Sequence, residues 1–144
     1  MVLPVDHVTV AEFAPTAPTK TETKTEGPGI SPDRLGIDVG PKTIEAFRTE
    51  IDKAESILWN GPVGVFEVPA FAQGTRRLAE ILAAAKARVI VGGGDSASAV
   101  EEMGLVGKMA HVSTGGGASL EYLAQGTLPG IQALEKSCVM GHES

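Results

Sequence analysis

Three glycine-rich stretches in this sequence combine residue types that suit phosphate binding. They are NGPVG at 60–64, GGGDS at 92–96 and TGGGAS at 114–119, and each follows a short apolar segment typical of a buried strand. Where such a turn opens a helix, backbone N–H groups and the positive end of the helix dipole face the ligand, and glycine permits close approach. One triple-glycine turn can equally serve tight helix–strand packing. Three turns at one sheet edge favour a shared phosphate site.

The two common nucleotide fingerprints are absent from the sequence. Neither G-x-G-x-x-G, which marks dinucleotide-binding folds, nor the P-loop pattern G-x-x-x-x-G-K-[ST] occurs in it. A nucleotide site built on these turns therefore belongs to neither common type.

Two carboxylates near the turns have alternative roles. Asp95 directly follows a triple glycine, where an aspartate commonly caps a helix. Its carboxylate could instead hold Mg²⁺, directly or through water, against a polyphosphate. Glu67, in VFEVP, is either a solvated loop charge or an acceptor for ribose hydroxyls, as acidic residues are in dinucleotide sites. Spacing alone leaves both questions open.

The remaining residues with chemical side chains give weaker signals. His111 lies in an apolar strand, where histidine is more often a core residue than a catalyst, and Trp59 is expected in the core. We assign no chemistry to five others, which lack partners at catalytic or metal spacing: His7, Ser113, Ser119, Cys138 and His142.

The elements that must position the turns alternate regularly after residue 36. A helix is expected from Pro41, with Ile44, Phe47, Ile51 and Ala54 on one apolar face. Further helices are expected over 69–86, 95–103 and 117–125, and strands over 2–10, 56–60, 88–91 and 109–113. Strands separated by helices pair in parallel, so the pattern predicts an open α/β sheet with all three turns at one edge.

Two segments fall outside this alternation. The polar stretch 14–29 is predicted to be a surface excursion, either a mobile loop or an exposed two-stranded ribbon, and residues 136–144 are expected to be a frayed tail. The abrupt start of the first strand at Met1 suggests that a further segment precedes it.

Composition excludes several classes of protein. The 144 residues are 42% hydrophobic and 21% charged, which excludes wholesale disorder, and the net charge of −6 argues against a nucleic-acid surface. A single cysteine favours a reducing compartment. The sequence shows neither a membrane span nor a secretory signal, so we expect a cytoplasmic protein.

Six motifs together resemble phosphoglycerate kinase. They are LPVD at 3–6, GIDVGPKT at 36–43, LWNGPVGVFE at 58–67, GGGDSASAVE at 92–101, HVSTGGGASLEYL at 111–123 and LPGIQAL at 128–134. The resemblance covers about residues 3–135 and corresponds to roughly the last third of the family's sequence, within its nucleotide-binding C-terminal domain. It implies a partial domain of Rossmann-like, three-layer α/β/α architecture with a mainly parallel sheet.

The resemblance also implies an activity and a set of site residues. The family transfers a phosphoryl group between 1,3-bisphosphoglycerate and Mg·ADP, giving 3-phosphoglycerate and Mg·ATP. By resemblance, the adenine pocket is lined by Gly36, Ile37 and Val65, with Asn60 and Pro62 beside the nucleotide and Glu67 on the ribose. The phosphates are expected at Gly93, Gly94, Asp95 and Ser96, with Asp95 on the metal side. The transferring phosphoryl group is expected at Gly94, Gly115, Gly116 and Gly117.

The family's basic phosphoglycerate site, its essential arginine and its lysine-bearing nucleotide segment have no counterpart here. The leading interpretation is therefore the C-terminal, nucleotide-site portion (1–144) of a phosphoglycerate kinase, with the N-terminal substrate domain absent, inactive alone and monomeric as a full-length enzyme. The alternatives are a non-catalytic nucleotide- or phosphate-binding module and a folding fragment without useful affinity.

Overall fold

The computed structural model describes residues 1–23 and 29–140, which form two three-stranded sheets, five α-helices and one short 3₁₀ helix (Val106–Lys108). The strands are β1 (Asp6–Val10), β2 (Lys20–Thr23), β3 (Leu35–Val39), β4 (Ser56–Asn60), β5 (Arg88–Gly92) and β6 (His111–Ser113). The helices are α1 (Pro41–Ile51), α2 (Gln73–Ala84), α3 (Gly94–Glu102), α4 (Gly116–Gln125) and α5 (Pro129–Met140). No helix in these two ranges is both long and apolar enough to cross a membrane.

The parallel sheet, in the order β4-β5-β6, confirms the predicted α/β fold. Asn60 pairs with Gly92, and Gly92 pairs with Ser113, so the three strands end level with one another. Alternate residues of these strands pack into the main core with α1, α2 and α3; they include Trp59, Val89 and Val91. Aliphatic side chains cover β4 and β5 on this face, as their apolar runs ILW and VIV indicate.

The opposite face of the parallel sheet borders an open apolar groove. Residues of β4, β5, α4 and α5 line this groove of about 780 Å³, so helices lie on both sides of the sheet in three layers. Several large apolar side chains on this side are exposed: Leu58, Leu120, Tyr122, Leu123, Ile131 and Leu134. The groove is therefore less completely packed than the main core.

The second sheet is antiparallel, in the order β2-β1-β3. The short apolar segment around Ile37, which the sequence left unassigned, is strand β3. Part of the 14–29 excursion is also ordered, since β2 pairs with β1; the rest of the expected ribbon, 24–28, lies outside the described residues. Val10, Ile37 and Phe71 form a second, smaller core beside this sheet.

The predicted first strand is shorter than expected, and its start has a specific cause. The backbone N–H groups of Val5 and Asp6 both donate to the hydroxyl of Thr43, at 3.0 and 3.1 Å, and Pro4 has no N–H to donate. Ladder pairing therefore begins only at Asp6. In return, the Asp6 carboxylate accepts bonds from the N–H groups of Lys42 and Thr43, at 3.0 and 2.8 Å, and so caps α1 from a distant strand.

Helix boundaries also differ from the predictions. Residues 69–72 precede α2 instead of starting it, and Ala54 lies beyond the end of α1. The expectation of a frayed tail over 136–144 is wrong in its first part, because α5 continues to Met140; the remainder, with His142, lies outside the described residues. The stretch EKSCVM has little apolar character by itself, and this led to the prediction of a frayed tail. It continues a helix whose earlier residues include the apolar Ile131 and Leu134.

Candidate functional site

The three glycine-rich turns meet at the carboxyl edge of the parallel sheet, as predicted. A Cβ built on Gly116 would lie 2.9 Å from Cα of Gly93 and 3.5 Å from Nδ2 of Asn60. The Asn60 amide also donates to the carbonyl of Gly92 at 2.9 Å. The turn after β4 is thus joined to the turn after β5, which in turn contacts the start of α4.

Two helices begin at this junction without a side-chain cap. The N-cap residue of α3 is Gly93 and that of α4 is Gly115, and neither helix start has a side-chain capping bond. Gly93 has φ +105°, a conformation that other residues rarely adopt. The first N–H groups of a helix have no partner within it, so the two helix starts concentrate donors and positive potential at one place.

Two partly buried hydrogen bonds join the 61–65 loop to the rest of this edge. The N–H of Gly61 donates to the Ser96 hydroxyl at 2.7 Å, and the indole N–H of Trp59 donates to the Gly61 carbonyl at 2.8 Å. Ser96 is fully buried, so its hydroxyl links two turns. Trp59 belongs to the core as predicted, and it also holds the loop.

A cavity of about 390 Å³ lies between β3 and the 61–65 loop. Gly36, Ile37, Pro62 and Val65, four of the residues expected beside the nucleotide, are among those that line it. The Val65 N–H donates to the Ile37 carbonyl at 2.9 Å and so fixes the loop against the strand. The lining of this cavity is about as polar as it is apolar, whereas the larger groove on the outer face of the sheet is mostly apolar.

Asp95 is not the N-cap of α3, and that alternative is wrong. The cap position belongs to Gly93, and Asp95 lies in the first turn, exposed and without a side-chain capping bond. Its carboxylate therefore accepts no capping hydrogen bond from the start of α3. No group of three metal-binding side chains occurs within residues 1–23 and 29–140. One carboxylate suits Mg²⁺ only if phosphate and water provide the other ligands, and this is how Mg²⁺ usually accompanies a nucleotide.

Four further residues considered from the sequence lie either at the surface or beside the third turn. Glu67 is exposed in the segment between β4 and α2, and His111 is exposed at the start of β6, so the expectation that His111 is a core residue is wrong. The hydroxyls of Ser113 and Ser119 lie 3.2 Å apart beside Gly115, whose N–H donates to Ser113 Oγ at 3.2 Å. These serines contact the third turn, although their spacing in the sequence indicated no role for them.

Basic side chains on α1 and α2 form surface ion pairs. Arg48 pairs with Glu45 on α1, Arg77 with Glu80 on α2, and Lys53, just beyond the end of α1, with Glu50. The partners are three residues apart and exposed. Such exposed pairs contribute little to stability. These cations face solvent along the helices.

Asp38 is a buried carboxylate that sequence analysis missed. It accepts bonds from the N–H groups of Val39 and Gly74, at 2.8 and 2.6 Å. Burial raises the pKa of Asp38, and the two N–H donors offset this only in part. The one signal in the sequence was an ionisable residue inside the apolar segment GIDVG.

The sequence of this chain also matches known proteins. A family model described as phosphoglycerate kinase matches residues 1–126. The chain belongs to the phosphoglycerate kinase family. It is 52% identical over 134 residues to a phosphoglycerate kinase of Dictyoglomus turgidum, covering 92% of this chain and 33% of that protein. It is 49% identical over 137 residues to one of Solibacter usitatus, covering 94% of this chain and 34% of that protein.

Solved phosphoglycerate kinases share the fold. The structure from Coxiella burnetii matches with a TM-score of 0.82 and 40% identity, covering 94% of this chain and 34% of that one. The structure from Pyrococcus horikoshii matches with a TM-score of 0.76 and 34% identity, covering 92% and 32%. The chain therefore spans about a third of the length of the phosphoglycerate kinases that it matches.

Proposed function

We propose that this chain supplies the Mg·nucleotide side of a phosphoglycerate kinase, which interconverts 1,3-bisphosphoglycerate and ADP with 3-phosphoglycerate and ATP. The observation that carries the proposal is the contact between Gly93 and Gly116, which joins two uncapped helix starts beside Asn60. Phosphoryl transfer depends on positioning and on stabilising charge at the phosphates. Fixed N–H donors on two neighbouring helices provide both.

The base and ribose are assigned to the cavity between β3 and the 61–65 loop. Gly36, Ile37, Pro62 and Val65 line it, and Gly36, Ile37 and Val65 are assigned to the adenine side. Asn60, two residues before Pro62, bonds to Gly92 at the carboxyl edge of the parallel sheet. Glu67 is assigned to the ribose hydroxyls, since it is exposed and lies two residues after Val65. Apolar walls with a few polar groups are typical of nucleotide and cofactor pockets.

The phosphates are assigned to the start of α3 and the transferring group to the start of α4. Gly93, Gly94, Asp95 and Ser96 surround the first position, where Ser96 acts by fixing Gly61. Gly94 and Gly115–Gly117 surround the second. Mg²⁺, when bound with the nucleotide, supplies charge neutralisation at the phosphates, and Asp95 is the residue that would hold it. The helix N–H groups hold and orient the phosphoryl oxygens.

The other substrate is assigned to a part of the family's polypeptide that this chain does not span. We propose that residues 1–144 are the C-terminal part of the nucleotide-binding domain and that 1,3-bisphosphoglycerate or 3-phosphoglycerate binds through the N-terminal domain. A monomeric full-length enzyme and a cytoplasmic location stay predictions.

Calorimetric titration of the chain with Mg·ADP tests the proposal. We expect one saturable site, with weaker binding when EDTA removes the metal. Saturable binding of Mg·ADP, with inorganic phosphate failing to compete at similar concentration, supports a nucleotide site. Binding of phosphate alone would instead support the phosphate-module alternative. The absence of binding by a folded chain would contradict the proposal and favour the fragment without affinity.

A further inference from the structure

Asp38 joins three elements, two of which, β3 and the 61–65 loop, line the cavity of about 390 Å³. It is on β3, and its carboxylate accepts the N–H of Gly74 in the first turn of α2. Its side chain also contacts Gly64 so closely that neither Gly64 nor Gly74 has room for a Cβ. One buried side chain therefore contacts the strand, the 61–65 loop and the start of the following helix.

The environment of Asp38 is unusual for a charged group. It is 6% exposed, and none of the ion pairs found among residues 1–23 and 29–140 includes it. Its compensation comes from backbone N–H groups, one of them at a helix start where a negative charge is stabilised. A buried carboxylate without a cation is costly, so packing alone does not account for an aspartate at this position.

The loop that Asp38 contacts also forms a wall of the cavity. Gly64 and its neighbours Pro62 and Val65 line it, as do Ile37 and Asp38 on β3. The bond from the Val65 N–H to the Ile37 carbonyl, at 2.9 Å, closes the loop onto the strand one residue from Asp38. Movement of the Asp38 carboxylate would therefore displace Gly64 and weaken this closure.

We propose that Asp38 is a positioning residue of the nucleotide cavity, which holds the 61–65 loop and the start of α2 at fixed distances from β3. This inference rests on the proposed function for the identity of the ligand. It assigns Asp38 no contact with the nucleotide; the residue acts through Gly64 and Gly74. Its loss should loosen the wall that receives the base even while the rest of the fold persists.

Asp38→Asn is the direct test, and Asp6→Asn is its matched control. Both aspartates are buried and accept N–H bonds at a helix start, but Asp6 serves α1 and does not line the cavity. Asparagine turns an NH₂ group towards an N–H that needs an acceptor, which costs a charged hydrogen bond. If Asp38→Asn does not fold, Gly64→Ala applies the same displacement from the other side. Its control is Gly130→Ala on α5, where a Cβ meets open space and which lies outside the proposed site.

The first measurement needs no nucleotide. Amide hydrogen exchange at Val65 should be roughly tenfold or more faster in Asp38→Asn than in Asp6→Asn, because a loosened 61–65 loop opens the bond from the Val65 N–H to the Ile37 carbonyl more often. Emission from Trp59 should also change only in the Asp38 variant, since its indole N–H bonds to Gly61 in the same loop. Equal exchange at Val65 in both variants overturns the proposal.

The second measurement links the loop to binding. We expect the affinity for Mg·ADP to fall roughly tenfold in Asp38→Asn and to change less than about twofold in Asp6→Asn at a temperature where both are folded. Faster exchange at Val65 together with no binding by the unmodified chain would contradict the proposed function but support the positioning role. Faster exchange with unchanged affinity would overturn the role of Asp38 in the cavity.

Discussion

Gly116 at the start of α4 packs directly against Gly93 at the start of α3, with no space between the two backbones for a side chain. This contact connects helices that follow neighbouring parallel strands, and it brings their N–H groups to one point. It also explains why glycine is required at both positions. Gly93 needs its positive φ, and Gly116 needs the absence of a Cβ.

Gly116→Ala should therefore destabilise the fold, whereas Gly117→Ala should not. A Cβ on Gly116 would lie 2.9 Å from Gly93, while one on Gly117 meets nothing within 4 Å. We expect a cost of about 1–3 kcal/mol for the first variant, as for other overpacked sites. Alanine at 117 should be neutral or slightly stabilising because it favours helix. Denaturant unfolding of both variants measures this difference, and equal stabilities would show that the contact is unimportant.

Asp95→Asn should weaken binding of Mg·ADP without affecting the fold. Asp95 is exposed and makes no capping bond, so only a small helix-dipole contribution, about 0.3–1 kcal/mol, is at risk. Loss of a carboxylate that supports the metal should reduce affinity roughly tenfold or more. Glu101→Gln, another exposed carboxylate on α3 but at its far end, is the control. Identical affinities for the two variants would remove Asp95 from the site.

Stability should fall in acid partly through Asp6. Burial alone would raise its pKa, but hydrogen bonds from Thr43 and Lys42, with the charge of Lys42, hold the pKa below its ordinary value of 3.8. The ionised form therefore stabilises the fold, fully so above pH 3.8 and progressively less as the pH falls through the folded-state pKa. Asp6→Asn should lower the melting temperature at pH 7, and the difference from the unmodified chain should shrink towards pH 2. A difference that is constant with pH would contradict this.

The purified chain should show no phosphoglycerate kinase turnover by itself. The proposed site for the phosphoglycerate lies in polypeptide that this chain does not span, and electrostatic groups at a phosphoryl-transfer site supply several orders of magnitude in rate. A coupled assay with ATP and 3-phosphoglycerate measures this directly. Turnover at ordinary kinase rates would show that the chain carries both halves of a site.

Much of the parallel sheet could be predicted because local and tertiary signals agree there. ILW and VIV have the unbroken apolar character of strands covered on both faces, and the glycines after them mark the turns. Topology then requires those turns to share an edge. The convergence of Asn60, Gly93 and Gly116 follows from pattern and handedness alone.

The unpredicted parts depend on contacts between residues distant in sequence. Strand β3 is defined by its pairing with β1, and the start of β1 is set by Thr43, some 37 residues away. The role of Asp38 depends on Gly64 and Gly74, which local spacing does not bring together. Gly93 occupies the N-cap position with a positive φ, and the strong local preference of aspartate for that position had pointed to Asp95 instead.

The most direct test of the account is a map of amide chemical shifts during titration of the chain with Mg·ADP. We predict that the amide signals of Gly93, Gly94 and Gly116 shift together with those of Ile37 and Val65. The phosphates are proposed to bind at the carboxyl edge of the parallel sheet while the base occupies the cavity between β3 and the 61–65 loop. Shifts confined to the apolar groove around Tyr122 and Ile131, or no saturable shifts in a folded chain, would contradict the account.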